Sequence, residues 1–246
     1  MSTVASTPQL LTGHRPIGGR QDGMPFRPDK RVRVGQTTQN PWSATGLVSA
    51  TFPDGSIGEA TGFAIGNQFV VTAAHAVYDR DWGGTATRVS FEAGRDAVKI
   101  PFRNVEAVAW HIPQEYPSCG GSYDYCMLTL GEPLVSEVYC YQLVAAGDKE
   151  LEKGEFQIAG YPDDKVPENS MWHASGRLLR PPGSRALHYR IPTSGGQCGA
   201  AVASYLGTKS TPVVGIHIGV AKDRKANEAV RVTREVIDQI EAWKRA

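Results

Sequence analysis

Three residues far apart in the chain have the types that a nucleophilic relay requires: His75 in VTAAHAV, Asp124 in SYDYCMLTL and Cys198 in TSGGQCGAA. A thiol becomes a nucleophile when an imidazole takes its proton, and a carboxylate on the other ring nitrogen holds the useful tautomer. The small residues Thr72, Ala73 and Ala74 leave room for the His75 ring to face a cleft at a strand end. Asp124 opens an apolar run, where a carboxylate is costly to bury unless a donor pairs with it. Asp79, in the charged DRD stretch after His75, is the competing carboxylate and reads as exposed loop. Beside Cys198, Gly196 lets the backbone turn so that its amide and that of Cys198 face a developing oxyanion. A lone strand histidine, or a cysteine in a glycine-rich turn, is more often structural. The set of three, in the order His, Asp, nucleophile, favours chemistry.

The elements that must hold these residues are short β-like runs from Ala44 to about Val232. ATGLVSATF, EATGFAI, QFVVTAAHAV and DYCMLTL belong to a first series, and EFQIAGYP, ALHYRIP and PVVGIHIGV to a second, with turn signals such as PDGS between runs. About a dozen strands fall into two groups of six, divided by Gly131 to Gly154, which suits a sandwich or a pair of barrels. The end of the chain changes period. TREVIDQIEAWKRA puts Val236, Ile237, Ile240 and Trp243 on one helical face, with Thr233 as N-cap. The sequence shows no internal repeat.

Composition narrows the function classes. With 26 basic against 25 acidic side chains in 246 residues, nothing points to nucleic acid as the main partner. The first 34 residues depart from this balance, carrying Arg15, Arg20, Arg27, Lys30, Arg31 and Arg33 against Asp22 and Asp29. Such an arm reads as solvated and mobile rather than as a membrane or RNA contact. No apolar run approaches a bilayer span, and the amino terminus lacks a secretory pattern. Cys119, Cys126, Cys140 and Cys198 form neither a disulfide framework nor a zinc pattern, so no metal or cofactor is expected. Cys126 is expected in a barrel core, and His14, His111, His173 and His188 have no constellation of their own, although His188 and Tyr189 are placed to border a pocket.

The order of these motifs, with AGYPDDK, MWHASGRL, LHYRIPTSGGQCGAAV and VVGIHIG, resembles the chymotrypsin-like proteases, more closely their glutamyl endopeptidase branch typified by the staphylococcal enzyme. The resemblance runs from about Asp29 to Trp243. It implies an all-β fold, a chymotrypsin-like double six-stranded β-barrel with a C-terminal α-helix. Residues 1–29 would be a flexible basic N-terminal extension and possible propeptide, and 30–246 the protease domain. Within it, barrel one would cover about 40–130, barrel two about 155–232 and the helix about 233–245. The resemblance assigns His75, Asp124 and Cys198 to catalysis, the amides of Gly196 and Cys198 to an oxyanion hole, and Thr193 and His217 to a pocket for Glu or Gln.

One residue departs from that pattern. The glutamyl branch implies a serine where Cys198 stands, whereas GQCGA followed by GIHIG is also the pattern of picornaviral-type cysteine proteases. Three readings follow: a thiol endopeptidase, a glutamyl-type serine endopeptidase whose nucleophile has been replaced, and a pseudo-protease that binds peptides without cutting. Secreted relatives also use a freed α-amino group near the pocket. The matching region here, Asp22 to Met24, lies behind more than twenty residues, and without a cut there Gln gains over Glu. The partner expected is a protein or peptide substrate, with no membrane or nucleic acid, for a monomeric enzyme. It would be cytoplasmic if Met1 is the native start and secreted if a signal has been removed.

Overall fold

The computed structural model describes residues 23, 26–179, 182, 184–204, 211–223 and 225–246. His14, Arg15, Arg20, Asp22 and Met24 lie outside the described residues. Six antiparallel strands close the first barrel: β1 (Thr45–Thr51), β2 (Ile57–Ala64), β3 (Phe69–Thr72), β4 (Arg88–Ala93), β5 (Val105–His111) and β6 (Cys126–Leu130). Six more build the second half: β7 (Phe156–Gly160), β8 (Trp172–Gly176), β9 (Ala186–Tyr189), β10 (Ala201–Ser204), β11 (Pro212–Val220) and β12 (Asn227–Arg231). Two short strands are added to this second sheet, Val32–Arg33 against β8 and Gln142–Leu143 parallel to β11.

The first barrel runs in the order β1-β2-β3-β6-β5-β4 and the second sheet in the order β8-β7-β10-β11-β12-β9. The β8 and β9 ends meet through a single bridge, Leu178 to Tyr189, with Leu179 N–H donating to the His188 carbonyl at 2.7 Å. With that bridge the second half closes in the same strand order as the first. The repeat lies in the topology, and the two halves share no repeated sequence.

Alternation along the strands explains how the halves are joined. On β6, Cys126, Leu128 and Leu130 fill the first barrel, while Met127 faces the seam between the halves. On β3, Val70 points into the barrel and Val71 into the same seam. Phe63, Val71 and Met127 there meet Ile216 and Ile218 of β11, and Val236 and Ile240 of the final helix, α1 (Arg234–Trp243). The second barrel has its own interior, including Ile158, Leu187, Val202 and Val214. The Thr233 side chain caps α1 by accepting from Val236 N–H at 3.3 Å. Trp243 at its end stacks on His111, ring centroids 5.9 Å apart, and packs on Tyr125, the residue after Asp124.

One charge of the basic arm is not solvated. The Arg31 side chain has no exposed surface, because Asp29 and Asp164 flank its guanidinium.

Burial of Ile240 against the seam makes it the anchor of α1. Ile240→Ala is expected to lower unfolding free energy by about 2–5 kcal/mol. Gln239→Ala, on the exposed face, is expected to stay within about 0.5 kcal/mol. Chemical denaturation of the two variants checks the difference.

Candidate active site

His75 stands in a single helical turn, Ala74–Ala76, immediately after β3. Its neighbours Ala73, Ala74 and Ala76 are all buried. Asp124 is delivered by another short turn, Gly121–Tyr123, just before β6, and has no exposed surface. Because β3 and β6 are hydrogen-bonded neighbours, with Thr72 opposite Cys126, the two residues emerge side by side. The Asp124 carboxylate accepts from the His75 backbone N–H at 3.0 Å and lies 2.8 Å from His75 Nδ1. That contact assigns the Nδ1 proton to the carboxylate and leaves Nε2 for a third group.

The third group is Cys198, buried within hydrogen-bonding reach of the His75 ring. Burial opposes a charged imidazole. The Asp124 carboxylate and then the Cys198 sulfur outweigh it, so the His75 pKa stands well above the ordinary histidine range. The environment favours an imidazolium held between the Asp124 carboxylate and the Cys198 sulfur.

Cys198 is held by contacts from both halves. Thr61 N–H donates to the Cys198 carbonyl at 2.8 Å, and Gly199 N–H donates to the His217 carbonyl at 2.7 Å. Gly199 has φ +85°, and a Cβ there would lie 2.1 Å from the Thr61 carbonyl oxygen. Gly196 has φ +81°, and a Cβ there would lie 2.2 Å from the Tyr161 carbonyl oxygen. Both positions require glycine for conformation and for space. The Gly196 carbonyl accepts from Thr61 Oγ1 at 2.8 Å, and the Gly195 carbonyl from Asp163 N–H at 2.8 Å.

Next to this loop, His217 on β11 and Thr193 are both fully buried. Tyr189 Oη lies 2.7 Å from His217 Nδ1. Burial raises the Tyr189 pKa well above the ordinary tyrosine value, so its hydroxyl keeps the proton it can donate. Thr193 Oγ1 has no hydrogen-bond partner among the described residues. The backbone of Gly23 crosses this hydroxyl so closely that a Cβ on Gly23 would lie 2.6 Å from it.

The structure thus brings His75, Asp124 and Cys198 together, with Gly196 in the same loop and Thr193 and His217 alongside. Asp79 is buried rather than exposed, because the two-strand hairpin pairing it with Gly84 folds its side chain inward, where it accepts from Asp81 N–H at 2.8 Å. Thr61, Thr72 and Arg31 are the contributors that the sequence reading missed. Thr72 Oγ1 donates to the Thr61 carbonyl at 2.8 Å, and Thr61 Oγ1 bridges Gly196 and Tyr161. A buried threonine on a strand carries no sequence signal that separates it from an ordinary strand residue. Cys126 lies in the first barrel's core, while Cys119 and Cys140 are exposed thiols.

Residues 60–216 match the family model of the trypsin-like peptidase domain. A glutamyl endopeptidase of Bacillus licheniformis is 31% identical over 223 residues, 88% of this chain and 67% of that protein. A Bacillus subtilis protein named an extracellular metalloprotease is 27% identical over 217 residues, 87% of this chain and 68% of that one. Among the described residues no three His, Cys, Asp or Glu side chains converge as a metal site, so the residues present do not fit the metal in that second name. In three dimensions a solved Glu endopeptidase bound to MPD superposes with a TM-score of 0.77 at 22% identity, covering 94% of this chain and all of that one (100%).

The charge on His75 yields a test independent of turnover. Asp124→Asn removes the strongest attraction for the imidazolium, so the ring is expected to lose its proton at lower pH. Because the folded pKa is raised, the stability His75 contributes is complete below its unfolded value of about 6.5 and is lost as pH rises through the folded value. An unchanged ¹⁵N titration of His75 in Asp124→Asn would show that the carboxylate does not govern the ring.

Proposed function

The chain belongs to the trypsin-like peptidase family, and from that premise we propose that it is a thiol endopeptidase in which Cys198 cleaves the bond after Glu or Gln. The observation that carries the reading is the His75 ring set between a buried carboxylate and a buried sulfur. An imidazolium in that position stabilises a thiolate near neutral pH, which a serine in the same place would not need.

In the first half-reaction the Cys198 thiolate attacks the peptide carbonyl, forming a carbon–sulfur bond and pushing negative charge onto the carbonyl oxygen. The amides of Gly196 and Cys198 are the donors for that oxyanion, each worth about 3 kcal/mol in comparable hydrolases. Collapse breaks the carbon–nitrogen bond, and the His75 proton goes to the departing amine. Water then gives a proton to His75 and attacks the thioester. The acid product leaves, and the thiolate–imidazolium pair is restored. Asp124 keeps the ring oriented throughout and does not itself become protonated.

The pocket reading rests on two buried polar side chains, Thr193 at the start of the Cys198 loop and His217 on the strand that holds Gly199. Tyr189 Oη at 2.7 Å and the Glu228 carbonyl at 3.2 Å both engage His217 Nδ1, so in this reading Nε2 is the ring nitrogen that meets a side-chain carboxylate or carboxamide. In the same reading the buried Thr193 hydroxyl supplies a second polar group to that side chain. The place of Gly23 against Thr193 supports a further step, hydrolysis of the Asp22–Gly23 bond, which would put a new α-ammonium group next to Thr193 and favour Glu over Gln. Residues 1–22 would then be a propeptide. Intact mass after prolonged incubation is expected to show loss of those residues. A full-length chain that is fully active would remove this step.

A mixed peptide library read by mass spectrometry tests the main reading. The protein is expected to cut after Glu or Gln, Cys198→Ala to cut nothing, and His217→Ala to lose about 10- to 100-fold at those sites, the scale of one hydrogen bond to a charged group. Iodoacetamide inactivation is expected to stay fast at pH 6–7, below the free-thiol pKa of about 8.5. If Cys198→Ser cleaves faster than the protein itself, the scaffold is a serine endopeptidase with a replaced nucleophile. Peptide binding with no cleavage by either form would mark a binding protein.

A further inference from the structure

The guanidinium of Arg31 joins three segments that are remote in sequence. Nε and Nη2 donate to the two oxygens of Asp29 at 3.0 and 2.8 Å. Nη1 and Nη2 donate to the two oxygens of Asp164 at 2.8 and 2.5 Å, and Nη1 reaches Gln197 Oε1 at 3.5 Å. Together these five contacts use the five N–H donors a guanidinium has. Asp29 also accepts from Lys165 Nζ at 2.8 Å. Gln197, the residue before Cys198, is fully buried, and its Oε1 accepts from Ser194 N–H at 3.0 Å.

The consequence falls on one peptide group. Asp163, next to Asp164, donates its N–H to the Gly195 carbonyl at 2.8 Å, and its carboxylate accepts from Ser194 Oγ at 3.1 Å. In a planar trans peptide the N–H points opposite to the C=O. Fixing the Gly195 carbonyl toward Asp163 therefore turns the Gly196 N–H the other way, away from the Asp163 loop. If the 163–165 segment moved, the Gly195 carbonyl would lose the Asp163 donor that fixes its direction, and glycine on both sides of the peptide permits the other orientation.

We infer that Arg31 is a positioning residue for the oxyanion hole, acting through Asp164 and Asp163 on the orientation of the Gly195–Gly196 peptide. The inference rests on the peptidase reading of Gly196 as an oxyanion donor. It gives the segment before the first barrel a function in the site itself, because the arm supplies both Asp29 and Arg31. The segment acts without touching substrate. A loosened strap rotates the amide and removes stabilisation from the transition state while the thiol, the imidazole and the pocket stay in place.

Arg31→Met and the milder Asp164→Asn test it, the second being a guard against failure of the first to fold, since Asp164 is partly exposed and leaves the Asp29–Arg31 pair intact. Arg31→Met is expected to lower kcat by about 10²–10³, the cost of one oxyanion donor. KM should change by less than about threefold, and Asp164→Asn should lie between the two. Affinity for a peptide aldehyde, whose adduct carries the oxyanion, should fall in step with kcat/KM, while the rate of Cys198 alkylation by iodoacetamide stays within about twofold. Arg31→Lys is expected to restore little, because an ammonium cannot form the paired bonds to both carboxylates. A parallel loss of alkylation and cleavage would show a merely structural role and overturn the inference. Crystal structures of both variants decide the matter even if the parent protein cuts no peptide. A rotated Gly195–Gly196 peptide supports the inference, and an unrotated one in both variants refutes it, whereas absent cleavage alone counts against the endopeptidase reading.

Discussion

A carboxylate with no exposed surface lies where the first barrel meets the second, and its pairing with His75 is the condition on which the site depends. A buried, ionised Asp is among the most costly groups a fold can hold, and one hydrogen bond does not offset its desolvation. Asp124 therefore receives two donors from the same residue, the His75 amide and the His75 ring. The two bonds fix both the backbone and the side chain of the histidine. The strand pairing Thr72 to Cys126 is what brings them within reach, so barrel closure and active-site geometry are one constraint.

The seam between the halves carries the same logic to Cys198. Thr61 belongs to the first barrel, yet its amide holds the Cys198 carbonyl and its hydroxyl holds that of Gly196. The second barrel answers through Gly199 and His217. Cys198 thus sits on a loop pinned from both sides, close to strands whose apolar residues fill the seam. The two halves share one strand order, and the Cys198 loop lies where contacts from both meet. Such pre-positioning matters because donors aimed in advance at a developing charge need no reorganisation when the reaction occurs.

How much of this was legible in the sequence depended on range. The small residues before His75, the single carboxylate opening an apolar strand and the glycines around Cys198 are local patterns, and they identified the residues that the fold assembles. The helix at the end was equally readable, from its period and from Thr233. The Arg31 contacts were not. Asp164 lies 133 positions away, and an arginine in a basic arm gives no local sign that it will be buried. Asp79 misled for a similar reason: a DRD stretch reads as exposed, and only the pairing of Asp79 with Gly84 turns that side chain inward. The closure of the second barrel rests on the Leu178–Tyr189 bridge beyond the end of β8, a contact that alternation cannot register.

The sulfur at position 198 changes what the Asp–His pair must do. With a hydroxyl nucleophile the imidazole has to begin neutral, take a proton during attack, and rely on the carboxylate only as charge appears. A free thiol's pKa lies only about two units above that of an imidazole, far closer than a hydroxyl's, so with the His75 pKa raised the proton can transfer before substrate arrives. On the proposed thiol reading the resting site is an ion pair, and each partner supports the charge of the other. Burial works against both charges, which is why the Asp124 carboxylate, the first attraction acting on His75, is needed to retain the imidazolium. The same burial would penalise the thiolate if the imidazolium were absent. On the proposed reading, a fold able to position a serine relay needs no new residue to run on sulfur. It needs only that the charge already buried at Asp124 be balanced by a ring that stays protonated.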